Sequence, residues 1–184
     1  MKVLTFGEIM LRLKVYHGST AIIRQPLAKA GRRNLDFGQG FYVTDLREQA
    51  VYWANRPLND GRPHWLNIYE LDMEVILSSD DYRYLIFENY DYKWLEFVVA
   101  NRRGEKHWEE YDIIEGGIAN DRIFNTIELY AAGLTPREEA LERLRYEKPN
   151  NQLCLLNQSL INSHLEFLTA EEVSINPPRK EEQP

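Results

Sequence analysis

The chain has a single cysteine, Cys154, among its 184 residues, which excludes an internal disulfide. It also lacks any Cys/His spacing typical of a metal site, so we expect no metal. A chain of this length buries roughly two thirds of the surface that its unfolded form exposes, so it can fold without either kind of cross-link. We therefore expect one main domain.

Long apolar runs are missing as well. The chain opens with Lys2 and a short apolar stretch, which Glu8, Arg12 and Lys14 interrupt. The sequence contains no secretory h-region and no stretch of 18 apolar residues. It therefore predicts a cytoplasmic protein with no membrane partner.

Positive charge is in deficit, because 22 Lys and Arg stand against 29 Asp and Glu, for a net charge of −7. Broad, non-specific binding to a phosphate backbone draws most of its affinity from basic charge, so this function class is disfavoured. A local basic pocket for a small anionic ligand is still compatible with the composition. Aromatic residues are plentiful, with 4 Trp and 11 Tyr. They favour either a heavily packed core or flat surfaces on which a ring ligand stacks.

The pattern of apolar residues and turn signals predicts an α+β fold with short strands. Gly116 and Gly117 are expected to end a strand, and Gly133 to follow a helix. We predict strands at 2–6, 13–17, 41–43, 65–73, 82–87, 111–115 and 152–156, and helices at 44–55, 93–101, 120–132, 135–144 and 159–168. Residues 1–14 are interpreted as an N-terminal strand or appended segment, residues 15–169 as the domain, and residues 170–184 as a flexible, Pro-rich and charged tail.

The most informative stretch is residues 15–54. His17-Gly18-Ser19 at a strand end offers an imidazole, an unhindered backbone and a hydroxyl in one corner. Because glycine has no Cβ, a ligand can approach the backbone closely there. Taken alone, His17 is more often a satisfied structural histidine.

A second motif follows about twenty residues later, where Gly38 and Gly40 flank a turn that presents Phe41 and Tyr42. A ring behind such a turn can stack on a flat heterocycle. Arg32 and Arg33 lie between the two motifs and could donate bidentate hydrogen bonds to phosphates. A lone Gly-x-Gly is usually only a turn, and an aromatic pair is usually core. The order and spacing of the two motifs carry the functional interpretation.

In this order the motifs resemble the poly(ADP-ribose) polymerase and diphtheria-toxin branch of the ADP-ribosyltransferase superfamily. That branch shares a His-Gly-Ser-type element, a Gly-x-Gly-[aliphatic/aromatic]-Tyr strand, and a helix with a second aromatic. More closely, residues 15–168, including YDIIEGGIANDRI and KPNNQLCLL, resemble an uncharacterised bacterial family in that superfamily, often suspected of being toxins in toxin–antitoxin pairs. The resemblance implies a split pair of small antiparallel β-sheets with peripheral helices and NAD held in the cleft between them. The opening residues 1–13 separately resemble the first strand of ribokinase-family sugar kinases, which nothing later in the chain supports.

The resemblance also implies roles for individual residues. His17 would bond the adenosine ribose, the Gly18 backbone would pair with the nicotinamide amide, and Ser19 would add a ribose contact. Tyr42 would stack on one face of the nicotinamide, and Trp53 would cover the other. The predicted NAD-binding set is His17, Gly18, Ser19, Arg32, Arg33, Gly40, Tyr42, Thr44 and Trp53.

Two positions depart from the family. Where it often has a helix serine this chain has Ala50, while the nearby hydroxyl of Thr44 is also a candidate helix cap. Where it has a glutamate at the head of a late strand, this chain has Gln152. A glutamine carries no charge to stabilise an oxocarbenium-like transition state and cannot act as a general base. In the superfamily, loss of that glutamate goes with mono-transfer or no activity, so chain elongation is not expected.

Other polar residues could supply the missing group. Asp36 precedes the second motif, and Glu115, Asn120 and Asp121 flank a strand end and a helix start; Asn120 or Asp121 could equally be a simple helix cap. The run 102–104 (Arg-Arg-Gly) is interpreted as a solvated helix end. The insertion at residues 75–147 is longer than a minimal fold requires, and we expect it to choose the acceptor.

The sequence thus predicts an NAD-dependent mono-ADP-ribosyltransferase, a toxin whose catalytic residues are His17, Tyr42 and Gln152. Its substrate would be NAD, its acceptor an unknown protein or nucleic acid, and its partner a small antitoxin protein. With water as acceptor it would be an NAD glycohydrolase. Two alternatives stay open: a catalytically degenerate NAD- or nucleotide-binding module, which Gln152 favours, and an interaction domain whose aromatics all belong to the core.

Overall fold

The computed structural model describes residues 12–117, 121–145 and 151–174. Within them the chain forms two β-sheets and six α-helices. The elements are β1 (Arg12–Ser19), β2 (Phe41–Val43), α1 (Arg47–Ala54), β3 (Trp65–Asp72), α2 (Met73–Ser78), β4 (Tyr84–Ile86), α3 (Tyr92–Arg102), β5 (Ile113–Gly117), α4 (Asp121–Ala131), α5 (Arg137–Leu144), β6 (Asn151–Leu155), α6 (Gln158–His164) and β7 (Leu165–Glu172). The predicted α+β class is confirmed.

The first sheet has three antiparallel strands in the order β1-β3-β7, and the second has four in the order β2-β6-β5-β4. In the second sheet β4 pairs with β5 in parallel, so the expectation of two purely antiparallel sheets is wrong at that edge. The two sheets touch through backbone bonds between Tyr16 of β1 and Thr44, which lies just after β2. Each residue donates its N–H to the other's carbonyl oxygen, at 2.7 and 3.0 Å.

One core fills the space between the sheets. Side chains of a strand alternate between its two faces, so every second residue of β2, β5 and β6 points at the first sheet. Val15 and Tyr69 from the first sheet pack there against Phe41 and Val43 from the second. A second core lies on the other face of the second sheet, where Trp94 and neighbouring α3 residues cover it. The second sheet is therefore covered on both faces.

Helix α1 covers the outer face of the first sheet. Ala50 is fully buried against Leu66 and Ile68 of β3. The helix was predicted from Thr44, but it begins three residues later. Thr44 instead accepts a bond from the Leu46 N–H at 3.1 Å while donating to the Asn151 carbonyl oxygen. Because Ala50 has a small side chain, α1 lies close to β1, and the helix reaches the edge of the site.

Several predicted boundaries are wrong. Gly116 and Gly117 belong to β5 and do not lie beyond its end. The Phe37 ring occupies the space where a Cβ of Gly116 would lie, and the Tyr90 ring occupies that space at Gly117, so glycine fits at both strand positions. The predicted helix at 159–168 ends at His164 and is followed by β7, which pairs with β3. Residues 170–172 therefore belong to the first sheet and not to a tail. Gly133, with φ +71°, ends α4 as predicted. The strand predicted at 2–6 lies outside the described residues.

Candidate functional site

Both sequence motifs open into one cleft of about 1210 Å³. Its floor comes from the end of β1 and the start of β2, one wall from α1 and the residues after it, and the other from the loop between β1 and β2. The predicted site residues on its lining are His17, Gly18, Arg32, Asp36, Gly40, Tyr42, Trp53 and Gln152. Most of the predicted set is therefore brought together, although its members come from five separate elements and loops.

His17 is fixed by a bond to the second motif. Its ring Nδ1 lies 2.7 Å from the carbonyl oxygen of Tyr42, which can only accept, so Nδ1 carries the proton. The imidazole also packs on Phe41, with ring centroids 4.6 Å apart. Burial lowers the pKa of His17 below its ordinary value, and the bond to Tyr42 offsets this only in part. The ring is therefore neutral at pH 7.

Gly18 has a packing role beside any role in binding. A Cβ at this position would overlap the carbonyl oxygen of Ala50 and lie 2.7 Å from the backbone N of Ala54. Its backbone faces the free edge of β1, because N–H and C=O groups two residues apart in a strand point the same way and those of Tyr16 bond Thr44 there. The absent side chain thus serves α1, while the peptide groups lie along the cleft.

Tyr42 is held at both ends. Its hydroxyl donates to the Gly38 carbonyl oxygen at 2.7 Å and accepts from the Phe37 N–H at 3.2 Å. Burial, first of all, raises the pKa of Tyr42 well above its ordinary value, so the phenol stays protonated. Gly38 has φ +85°, and the Trp108 ring occupies the space where a Cβ would lie, so the turn needs a glycine there. The ring of Tyr42 therefore lines the cleft in a fixed orientation.

Helix α1 and the residues after it supply rings and a cation. Trp53 and Tyr52 both line the cleft, and the guanidinium of Arg56 lies 5.9 Å from each ring centroid. Gln49, on the same helix, has a buried side-chain oxygen with no hydrogen-bond partner within the described residues. This wall therefore combines two ring surfaces with a cation.

Gln152, on β6, lies on the cleft with 4% of its surface exposed. Its Cα partner across the strand pair is Gly116. Asp36, which the sequence offered as another carboxylate for the site, is bonded to Arg102 at 2.7 Å, and both side chains are about one sixth exposed. Arg102 was expected at a solvated helix end. It is instead a half-buried cation of the cleft wall, packed over the Phe124 ring at 4.6 Å.

Four predicted residues that the structure describes are not placed on the cleft. Ser19 accepts from the Ala21 N–H at 3.3 Å, Arg33 is exposed beside the cleft, and Thr44 is occupied as described above. Glu115 accepts from the hydroxyl of Tyr84 and, at 3.1 Å, from Asn151, so it serves the sheet and does not replace the family's glutamate.

Asn120 lies outside the described residues. Asp121 is the first residue of α4, as a helix cap or start would be, and its side chain lies outside what the structure describes.

One protein family matches residues 13–167, which is most of the chain; it is described as a protein of unknown function (DUF3990). The chain belongs to this family. No curated protein and no solved structure matches the chain significantly. The matched residues run from β1 into β7, so the span of the DUF3990 family takes in both sheets and every residue of the cleft.

Sequence reasoning missed several cleft residues of this DUF3990 chain. Glu48, Tyr52 and Arg56 lie on or just after α1, and Arg102 and Phe124 close the opposite end. Glu48 and Tyr52 could have been found, because they flank Gln49 and Trp53 on a helix that was predicted. Phe124 could not, because it depends on how α4 packs beside α3.

Within the described residues, no three or more His, Cys, Asp or Glu side chains are grouped so as to hold a metal ion. No helix in the described part of the chain is both long and apolar enough to cross a membrane.

Proposed function

We propose that the cleft binds NAD and that the protein is an NAD-dependent mono-ADP-ribosyltransferase with the fold of that superfamily. The observation that carries this is the convergence of His17, Gly18, Tyr42, Trp53 and Gln152 on one cleft. The sequence resemblance implies contacts with NAD for each of these residues. They lie far apart in the sequence, and packing alone does not require them to meet at one concave surface.

The size and charge of the cleft support a long ligand with two rings and a pyrophosphate. Small-molecule pockets usually hold about 300–1000 Å³, and this cleft exceeds that range at about 1210 Å³. Arg32 and Arg56 line it without an ion pair in the described residues and can donate to phosphate oxygens, whereas the guanidinium of Arg102 is already engaged by Asp36 and Glu128. Tyr42 and Trp53 offer rings to the nicotinamide, and the edge of β1 at Gly18 offers an N–H and a C=O to its carboxamide.

In the proposed reaction the bond between the nicotinamide nitrogen and ribose C1′ breaks, and the electron pair leaves with nicotinamide. A nucleophilic atom of the acceptor bonds to C1′ and gives up its proton. His17 is neutral, and its Nε2 can accept from a ribose hydroxyl because Nδ1 is already donating. Gln152 can align the same ribose. Glu48 is the cleft carboxylate without an ion pair in the described residues, and we assign it the acceptor's proton.

A second candidate is a non-catalytic NAD-binding module. It is favoured by the uncharged side chain at Gln152 and by the pairing of Asp36 with Arg102, which together leave no free buried carboxylate on the described cleft lining. Both candidates bind NAD, and only the enzyme releases nicotinamide.

The first test is calorimetric titration of the purified protein with NAD. We expect binding that Trp53→Ala weakens and His17→Ala abolishes. Tyr92→Ala and His107→Ala are matched controls, because both residues lie away from the cleft with exposed side chains, and both should bind like wild type. Absence of binding by wild type, or equal losses in the controls, would overturn the proposal.

The second test separates transfer from binding. NAD labelled in the adenylate half is incubated with protein and cell lysate, and label on macromolecules and free nicotinamide are both measured. Transfer supports the enzyme, free ADP-ribose alone supports a glycohydrolase, and bound but intact NAD supports the non-catalytic module. We further propose that the protein acts as a toxin in the cytoplasm, restrained by a small antitoxin. Expression of the wild-type protein should then stop cell growth, and cells that express the His17→Ala variant should grow normally.

A further inference from the structure

Charge is unevenly distributed between the cleft and the rest of the chain. Two loops flank the cleft, residues 20–40 before β2 and residues 55–64 after α1. Together they hold six of the 22 Lys and Arg but two of the 29 Asp and Glu. The six cations are Arg24, Lys29, Arg32, Arg33, Arg56 and Arg62. The net charge of −7 therefore conceals a basic rim on an acidic protein.

These six cations are not engaged by carboxylates. Within the described residues none of them forms an ion pair, whereas Arg12, Arg47 and Arg83 each do. Of the two acidic residues in these loops, Asp36 is already neutralised by Arg102. All six side chains belong to exposed residues. The two loops therefore carry a net positive charge, with Asp60 as their acidic residue outside the ion pairs of the described residues, and such a surface favours a polyanion.

The rim also presents an unusual amount of exposed ring and apolar surface. Tyr52 is 61% exposed, and the guanidinium of Arg56 lies 5.9 Å from its ring centroid and from that of Trp53. Leu27 and Leu58, which are 60% and 68% exposed, line the same cleft from its two sides. Aromatic faces bordered by arginines are the means by which proteins hold unpaired bases, since every base has a flat face and a phosphate beside it.

We propose that this rim, the two loops of residues 20–40 and 55–64 with Tyr52 and Trp53 between them, is a docking surface for single-stranded nucleic acid. The proposal deepens the proposed function by naming the class of acceptor, and it rests on that function only for the transfer step. Tyr52 stacks on a base, while Arg33 and Arg62, the rim arginines of the same two loops that are not on the cleft lining, contact phosphates. Stacking requires bases that are free of a complementary strand, so the surface discriminates against duplexes.

The test is fluorescence anisotropy with a fluorescein-labelled 20-nucleotide oligo(dT), without NAD. We expect binding that weakens on the order of tenfold when NaCl rises from about 50 to about 200 mM. The double variant Arg33→Glu/Arg62→Glu should lose at least tenfold in affinity. Lys93→Glu/Arg145→Glu is the matched control, because it changes net charge equally at exposed residues away from the cleft. It should lose less than threefold.

Stacking is tested separately from charge. Tyr52→Ala should weaken oligo(dT) binding about fivefold or more, and Tyr92→Ala should leave it unchanged. A duplex of equal length should bind more weakly, and poly-L-glutamate should compete poorly. Effective competition by polyglutamate would overturn the proposal in favour of an acidic protein partner. So would a lack of oligo(dT) binding, or an equal loss in the Lys93/Arg145 control.

The outcome is independent of NAD binding. His17→Ala should abolish NAD binding in the calorimetric test and leave oligo(dT) binding intact, because His17 lies on the floor of the cleft and not on its rim. If wild type binds oligo(dT) but not NAD, the docking surface stands and the transferase proposal fails. If wild type binds NAD but not oligo(dT), the proposed docking surface fails and the NAD-binding proposal stands.

Discussion

At the scale of single residues, the site depends on a bond that joins two strands. The imidazole of His17 donates to the backbone of Tyr42, so a residue of β1 is oriented by the chain of β2. Burial lowers the pKa of this imidazole, which means that the fold prefers the neutral ring. The interaction therefore ties the stability of the fold to pH.

We predict a pH dependence with a defined sign. The unfolded chain protonates His17 near its ordinary value of 6.5 and the folded chain only at lower pH, so stability is present above about 6.5 and is lost as pH falls below it. The free energy of unfolding, from urea titrations between about pH 8 and pH 5, should fall more steeply in wild type than in His17→Gln. The exposed-residue variant His107→Gln should follow wild type. Parallel curves for wild type and His17→Gln would contradict this.

Gly18→Ala should destabilise the protein, because the added methyl group meets the backbone of Ala50 and Ala54, which cannot turn aside as a side chain can. Overpacking of this kind costs about 1–3 kcal/mol. Urea titration gives the change in the free energy of unfolding. Gly61→Ala is the comparison: it has open space and only a positive φ to oppose it, so it should cost about 1 kcal/mol. A Gly18→Ala protein as stable as wild type would show that α1 lies further from β1.

Gln152→Glu tests the proposed transferase function at the position where the ADP-ribosyltransferase resemblance has a glutamate. A carboxylate on the cleft should stabilise positive charge on the ribose, so nicotinamide release from NAD should rise about tenfold or more. The same change should lower the free energy of unfolding, because the position is nearly fully buried. Gln25→Glu, at an exposed position of the rim loop, should leave the release rate unchanged. A fall in the rate for Gln152→Glu would show that the amide itself is needed.

At the scale of elements, sequence reasoning found most strands and helices but not β7. Its burial alternates only over Leu165–Phe167, with Leu168 exposed, so a helix was equally compatible with the local pattern. Pairing with the central strand β3 decides the structure, and that contact joins residues about a hundred positions apart. The motif residues His17, Gly18 and Tyr42 were predictable because the turns that present them are local. The Arg102–Asp36 pair was not, because it needs α3 to reach the β1–β2 loop.

Ending the chain at Thr169 should destabilise it relative to a chain that ends at Ser174. The shorter chain loses the pairing of residues 170–172 with β3 and the Arg47–Glu171 ion pair. It also loses the bond that the Val173 N–H donates to the His64 carbonyl oxygen and the bond that the Asn55 side-chain amide donates to the Val173 carbonyl oxygen. At about 1 kcal/mol for each buried bond, we expect a loss of about 2–4 kcal/mol. Urea titration measures it. Equal stability of the two chains would mean that residues 170–174 are a tail after all.

At the scale of the whole molecule, the two sheets share one core, so neither can unfold alone without exposing the apolar face of the other. Phe41 packs edge-on against Tyr69 across this interface, with ring centroids 5.7 Å apart. Urea unfolding should therefore be a single transition, with tryptophan fluorescence and far-ultraviolet circular dichroism giving the same midpoint. Two separated midpoints would show that the sheets are independent. Composition predicted one domain but not that its centre lies between two sheets.

The reactivity of the single cysteine, Cys154, reports on motion of the cleft floor. Cys154 is fully buried directly beneath Gly40, and burial raises its pKa, so a thiol reagent can reach it only when the layer above moves away. Its labelling rate in the native protein therefore reports transient opening of the cleft floor, with no engineered probe and no competing cysteine in the sequence. A ligand that binds to that floor should slow the labelling of Cys154. The labelling rate can therefore be used to screen for compounds that bind there.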